Sequence, residues 1–136
     1  MAELTNTAVE RLVLMTTGYG QVASRAMTEV APDPELAHTA SLVVLCSLDL
    51  DGPRRPGELQ EVTGLSSGGV SKLLDRMEQA GVVKRTYGGV PGDNRGVVVS
   101  ITRRGRAVAA RFAAAVANRL PDSRTLVKEL STALEG

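Results

Sequence analysis

Residues 56–101 read PGELQEVTGLSSGGVSKLLDRMEQAGVVKRTYGGVPGDNRGVVVSI, and the changes of period within them decide the fold. Pro56 suits the first position of a short helix, where its missing N–H would have no partner anyway. Leu59 and Val62 turn inward from it. Thr63-Gly64-Leu65-Ser66 reads as a tight turn. Val70, Leu73, Leu74, Met77 and Ala80 then recur at the spacing of one helix face. Ser66 or Ser67 caps this helix and Gly81 stops it. Two short helices joined by a glycine-containing turn make a helix-turn-helix.

After Gly81 the period shortens. Val83-Lys84-Arg85-Thr86-Tyr87 and Val97-Val98-Val99-Ser100-Ile101 are β-rich, and the segment between them, Gly88 to Gly96, is dense in turn formers. This predicts a hairpin with a long polar tip. Working outward, residues 7–30 carry Val9, Leu12, Val13, Val22, Ala23, Met27 and Val30 at helical intervals, interrupted by Gly18 and Gly20. Each glycine costs about 1 kcal/mol in a helix, so a bend or loose turn is expected there. Pro32 and Pro34 end the segment. A second helix is expected from Pro34 or Glu35 to Leu50, with Asp33 as its cap and Leu42-Val43-Val44-Leu45-Cys46 deep in the core. Asp51-Gly52-Pro53 closes it. Downstream, Thr102 caps a helix from Arg103 to about Leu120, with Ala107, Val108, Phe112, Ala115 and Val116 on one side. Pro121 breaks it, and Asp122 or Ser123 starts a last helix bearing Leu126, Val127, Leu130 and Leu134. The order predicts a mainly α fold with a small β-hairpin wing, a winged helix-turn-helix with helical extensions at both ends.

The composition agrees with one domain. The 136 residues are 43% hydrophobic and 23% charged, ordinary for a folded domain and unlike a disordered chain. No apolar run approaches the ~20 residues of a membrane span. The opening MAELTNTAVERL is acidic and polar where a signal peptide is basic and then apolar, so a cytoplasmic location is expected. His38 and Cys46, each the only one of its kind, have no spaced carboxylates with which to build a metal site. Neither a local nucleophile–base pairing nor a phosphate loop is visible, so no cofactor and no catalysis are expected. Cys46, in its apolar run, reads as a small hydrophobe.

The net charge of +1 hides an asymmetry. Residues 1–53 carry two basic against seven acidic side chains, and residues 54–111 carry eleven basic against five acidic. The basic centre coincides with the winged module, an electrostatic footprint for a polyanion. Tyr19, Tyr87 and Phe112 are the only aromatics, too few for a base-stacking platform. Binding would therefore work through charge and groove shape on a duplex. With Val70, Leu73, Leu74 and Met77 turned to the core, Ser67, Gly68, Ser71, Lys72, Asp75, Arg76 and Gln79 face outward. A helix of this kind fits the major groove. Ser66, Ser67 and Ser71 can hydrogen-bond to bases or phosphates. Lys72 and Arg76 can neutralise phosphates, and Gly68 and Gly69 allow close backbone approach. At the hairpin tip, Arg95 can enter a narrow minor groove, with Asp93 placed to direct it and Asn94 between them.

The runs LSSGGVSKLLDRMEQAGVVKR and VPGDNRGVVVSITRRGRAV resemble the MarR family of bacterial transcriptional regulators. The matching features are the leucine-rich helix ending in Glu-x-x-Gly-Val-Val-x-Arg, the Asp-x-Arg wing and the Ile-Thr-x-x-Gly run. The resemblance is sharp over 57–108 and architectural elsewhere. It implies a homodimer reading a near-palindromic double-stranded DNA operator, with Arg95 in the minor groove and the recognition helix in the major groove, acting as a repressor. Residues 1–136 then form a single domain of that type, with 51–102 as the winged DNA-binding part and 1–50 and 103–136 as the helical dimerisation part. The dimer would use Val9, Leu12, Val13, Phe112, Val116, Leu126, Val127, Leu130 and Leu134, apolar positions on helices that cannot bury them alone. Three features depart from the family, the first being terminal extensions that look short, which implies a smaller dimer interface than usual. Gly68 and Gly69 stand where it commonly has Ser or Thr and a small residue, and the aromatics that line many effector pockets are scarce. The sequence identifies no effector. The glycine pair also supports an alternative, a winged helix that binds protein partners and no specific DNA.

Overall fold

The computed structural model describes residues 5–31, 34–88 and 96–119, together with 125, 128, 129, 131, 132 and 135. Thr5 Oγ1 accepts the Ala8 N–H at 3.1 Å and so opens α1 (Asn6–Val30). That helix runs unbroken through Gly18 and Gly20, against the interruption expected there. The two glycines together cost about 2 kcal/mol. Against this, the second half of α1 buries Ala23, Ala26 and Met27 in the core, where α1 packs on α5 and α2. Tertiary burial outweighs local propensity.

The second helix also starts later than its sequence suggests. Pro34–Leu36 forms one 3-10 turn, and α2 spans Thr39–Asp51 with His38 as its cap in extended conformation. The separate turn carries Leu36, 1% exposed, into the core beside α4. Ser41 on α2 is fully buried with a hydroxyl that has no hydrogen-bond partner among the described residues. An unsatisfied buried hydroxyl costs about 1–3 kcal/mol. Ser41→Ala is therefore expected to leave stability unchanged or raise it by about 1 kcal/mol, read as the melting temperature by circular dichroism. A clear loss would mean that the hydroxyl is paired.

Pro56 opens α3 (Pro56–Thr63) as its sequence requires, and Glu58 accepts the Arg55 N–H at 3.1 Å to complete the cap. Leu59 is buried, but Val62, expected inside, is half exposed in the last turn of the helix, where it adds nothing to the core. Gly64 sits at φ 72°, left-handed geometry that glycine adopts without strain, and turns the chain into α4 (Ser67–Gln79). Val70, Leu73, Leu74 and Met77 of α4 are all within 2% of complete burial, as the spacing predicted. Strands β1 (Val83–Thr86) and β2 (Val98–Ile101) pair antiparallel, with Val83 opposite Ile101 and Thr86 opposite Val98. A feature absent from the sequence reading joins them. Arg54 exchanges both backbone hydrogen bonds with Val99, at 3.0 and 2.7 Å, and ties the α2–α3 connection to the hairpin.

Helix α5 (Arg103–Arg119) closes the core. Thr102 caps it as expected, its hydroxyl accepting from Gly105 N–H at 3.0 Å while donating to the Gly81 carbonyl at 2.6 Å. Its buried face is Gly105, Val108, Ala109, Phe112 and Val116. Ala107, expected inside, is exposed, because the buried stripe is set by the close docking of Gly105 on Val82. An ion pair between Arg119 and Glu29 joins the ends of α5 and α1. The described residues beyond α5 are helical. No helix among the described residues is long and apolar enough to cross a membrane.

Candidate nucleic-acid interface

The outward side of α4 is set by what holds its inward side. Ser66 Oγ accepts the Gly69 N–H at 3.1 Å, so this serine serves as the helix cap. Ser67, Gly68, Ser71 and Lys72 are exposed, and Gly69 is partly covered. A Cβ at Gly68 would meet nothing within 4 Å, whereas one at Gly69 would lie 3.3 Å from Ser66 Oγ. Gly69 thus keeps the cap compact, and Gly68 leaves bare backbone at the surface. Arg76 is only partly exposed, since it lies nearer the edge of the helix than its spacing suggested. A groove of about 370 Å³ separates α4 from the hairpin and the start of α3, with Pro56, Ser67, Ser71, Leu74, Arg85, Tyr87 and Val97 on its walls.

Sequence reasoning passed over Arg85, which the structure makes central to this region. From β1 its guanidinium donates to Asp75 Oδ1 at 2.5 Å and to Glu78 Oε1 at 2.8 and 3.0 Å, while its backbone N–H donates to Glu78 Oε2 at 3.1 Å. No periodicity signals this cluster, because the partners meet across the α4–β1 turn. The Arg85 N–H, and then the guanidinium, hold the Glu78 carboxyl below its ordinary value of 4.5. A depressed carboxylate contributes stability that is complete above its unfolded value and is lost as pH falls through the folded one. Between about pH 5 and pH 3 the wild type is therefore expected to lose more melting temperature than Glu78→Gln. Parallel declines would show that the contact adds nothing.

The remaining expected residues divide in two. Val9 and Val13 are exposed at 45% and 56% on the first half of α1, with Leu12 partly covered between them. Phe112 and Val116, by contrast, are 8% and 5% exposed within a single chain, because they pack α5 into its own core. Asp93, Asn94 and Arg95 of the wing, and Leu126, Val127, Leu130 and Leu134 of the terminal stripe, lie outside the described residues. Among the described residues no three His, Cys, Asp or Glu side chains gather in a way that could hold a metal ion. Cys46 is half buried, and desolvation followed by the nearby Asp49 charge raises its thiol above the ordinary value.

A helix-turn-helix anchored by its inner face, an antiparallel hairpin beside it and one short bridge define a winged helix-turn-helix protein. A family model described as MarR family matches residues 42–96. An uncharacterized HTH-type transcriptional regulator of Bacillus subtilis, YcgE, is 37% identical over 101 residues, covering 72% of this chain. The chain spans 59% of that relative's length. A mutant MarR from E. coli, solved in complex with operator DNA, superposes with a TM-score of 0.62 at 25% identity, over 91% of this chain and 80% of that one. RV1404 from Mycobacterium tuberculosis shares the fold with a TM-score of 0.71 at 19% identity, over 100% of this chain and 96% of that one. Motif, fold and these matches make the chain similar to the MarR family of transcriptional regulators.

Proposed function

We propose that the protein is a sequence-specific double-stranded DNA-binding regulator, a repressor that acts as a homodimer on a near-palindromic operator. The observation that carries this reading is the outward side of α4, where Ser67, Gly68, Ser71 and Lys72 stand exposed while four apolar residues anchor the helix from behind. A rigid helix displaying short polar side chains, bare backbone and one lysine can enter a major groove and bond to base edges. Its MarR relative was solved on operator DNA, which supports the same use of the matching face. The exposed Val9 and Val13 on α1 support a symmetric partner, since exposed apolar side chains on a helix are covered when two copies pair. Arg95 would reach the adjacent minor groove from the wing.

The salt dependence of duplex binding tests the electrostatic part of this reading. The logarithm of affinity falls linearly with the logarithm of salt, with a slope set by the number of neutralised phosphates. Lys72→Ala is expected to flatten that slope by about one for each bound protomer and to weaken all sequences alike. Arg95→Ala is expected to weaken binding substantially. Wild-type slope and affinity in both variants would contradict the proposal and favour a protein-binding winged helix.

A further inference from the structure

The charges of α4 cancel within the helix, since Lys72 and Arg76 are opposed by Asp75 and Glu78. A helix offered to a polyanion thus has no net charge of its own. Asp75 lies three residues after Lys72 and four after Ser71, so the three are neighbours on the helix surface. A free carboxylate there would repel phosphates and draw Lys72 into an intrahelical pair. The structure removes it from that role. Arg85 holds Asp75 and Glu78 together, and among the described residues it is the one cation in ion-pair range of Asp75. The Arg85 side chain is 18% exposed, against 56% for Asp75, so the pair is partly shielded from water and less screened than a surface pair. A planar guanidinium serves two carboxylates in fixed directions, which an ammonium cannot do. Glu78 is also held by the Arg85 backbone N–H, so Asp75 is the carboxylate that the side chain alone restrains.

We propose that Arg85 is a positioning residue for DNA recognition: it clamps Asp75 against the wing, leaving Ser67, Ser71 and Lys72 free to meet the nucleic acid. The proposal rests on the DNA-binding reading above. It assigns to Arg85 an effect through Asp75 and no contact with DNA. The consequence is that the loss caused by removing Arg85 is repaired by removing the charge it restrains.

Fluorescence anisotropy with a labelled duplex at low salt tests this with four proteins, each first checked by circular dichroism. Arg85→Gln is expected to bind about tenfold more weakly than wild type, and Arg85→Gln with Asp75→Asn to return to within about threefold. Asp75→Asn alone is expected to stay within about threefold of wild type, because the clamp already keeps this carboxylate from Lys72 while Glu78 still holds Arg85. A purely structural clamp gives no rescue, since both partners are absent from the double variant. Wild-type affinity in Arg85→Gln, or a double variant as weak as the single, would overturn the proposal. If Arg85→Gln does not fold, Arg85→Lys takes its place, with weaker binding expected because an ammonium cannot hold both carboxylates; wild-type affinity overturns the proposal. Failure of the DNA-binding reading itself is distinct, since it shows in the wild type before any variant is compared, and it takes this proposal with it.

Discussion

A single methyl group at Gly105 is expected to lower stability by about 3 kcal/mol. A Cβ built there would lie 2.1 Å from the Val82 carbonyl oxygen and 2.7 Å from Ile101 Cγ1. The oxygen is fixed in place, because it accepts the Thr102 N–H at 3.1 Å at the point where the hairpin meets α5. Real Cβ atoms do not approach a neighbour so closely, so Gly105→Ala must push α5 off the hairpin. That movement would open the cavity filled by Val82, Val108 and Phe112, all within 8% of full burial. For a chain of this size the loss corresponds to roughly 10 °C in melting temperature. Circular dichroism of the purified variant checks it. A melting temperature within about 2 °C of wild type would show that the contact relaxes cheaply. The glycine of the Ile-Thr-x-x-Gly run thus has a steric reason.

Ser67→Asp is expected to separate folding from binding. Ser67 is exposed at the first position of α4, where free backbone amides and the positive end of the helix dipole favour a carboxylate by about 0.3–1 kcal/mol. The fold should therefore be as stable as wild type or slightly more so. Against DNA the same carboxylate faces phosphates, and like charges brought together at an interface cost several kcal/mol. Duplex affinity is expected to fall by at least ~100-fold, and more where two protomers bind. A folded Ser67→Asp protein that binds as tightly as wild type would place the DNA contact elsewhere on the molecule.

The parts of this architecture that were legible in the sequence are those written as period or cap. Val70, Leu73, Leu74 and Met77 gave α4 its buried face, and Ser66, Thr102 and Pro56 marked helix starts that the structure keeps. The exposure of Ser67, Gly68, Ser71 and Lys72 followed from the same spacing. What could not be read was tertiary. The continuity of α1 through Gly18 and Gly20 depends on the burial of Ala26 and Met27 against other helices. The break before Thr39 depends on a pocket for Leu36. The Arg54–Val99 bridge is one residue pair and has no period to detect. The clamp on Asp75 and Glu78 is the most consequential omission. Arg85 looked like one more strand residue until the turn at Gly81 brought it across the two carboxylates.

Selection from random duplexes tests whether the α4 surface reads DNA sequence as part of a symmetric dimer. Purified protein is incubated with a pool of random duplexes at physiological salt, and the retained DNA is amplified and sequenced through several rounds. A symmetric sequence-reading dimer enriches a near-palindrome whose half-sites are centred about one helical turn apart, roughly 10 base pairs. Ser67→Asp is expected to enrich nothing. Failure of the wild type to enrich any sequence, with weak and steeply salt-dependent retention of the whole pool, would contradict that reading and leave the basic module as a non-specific electrostatic surface.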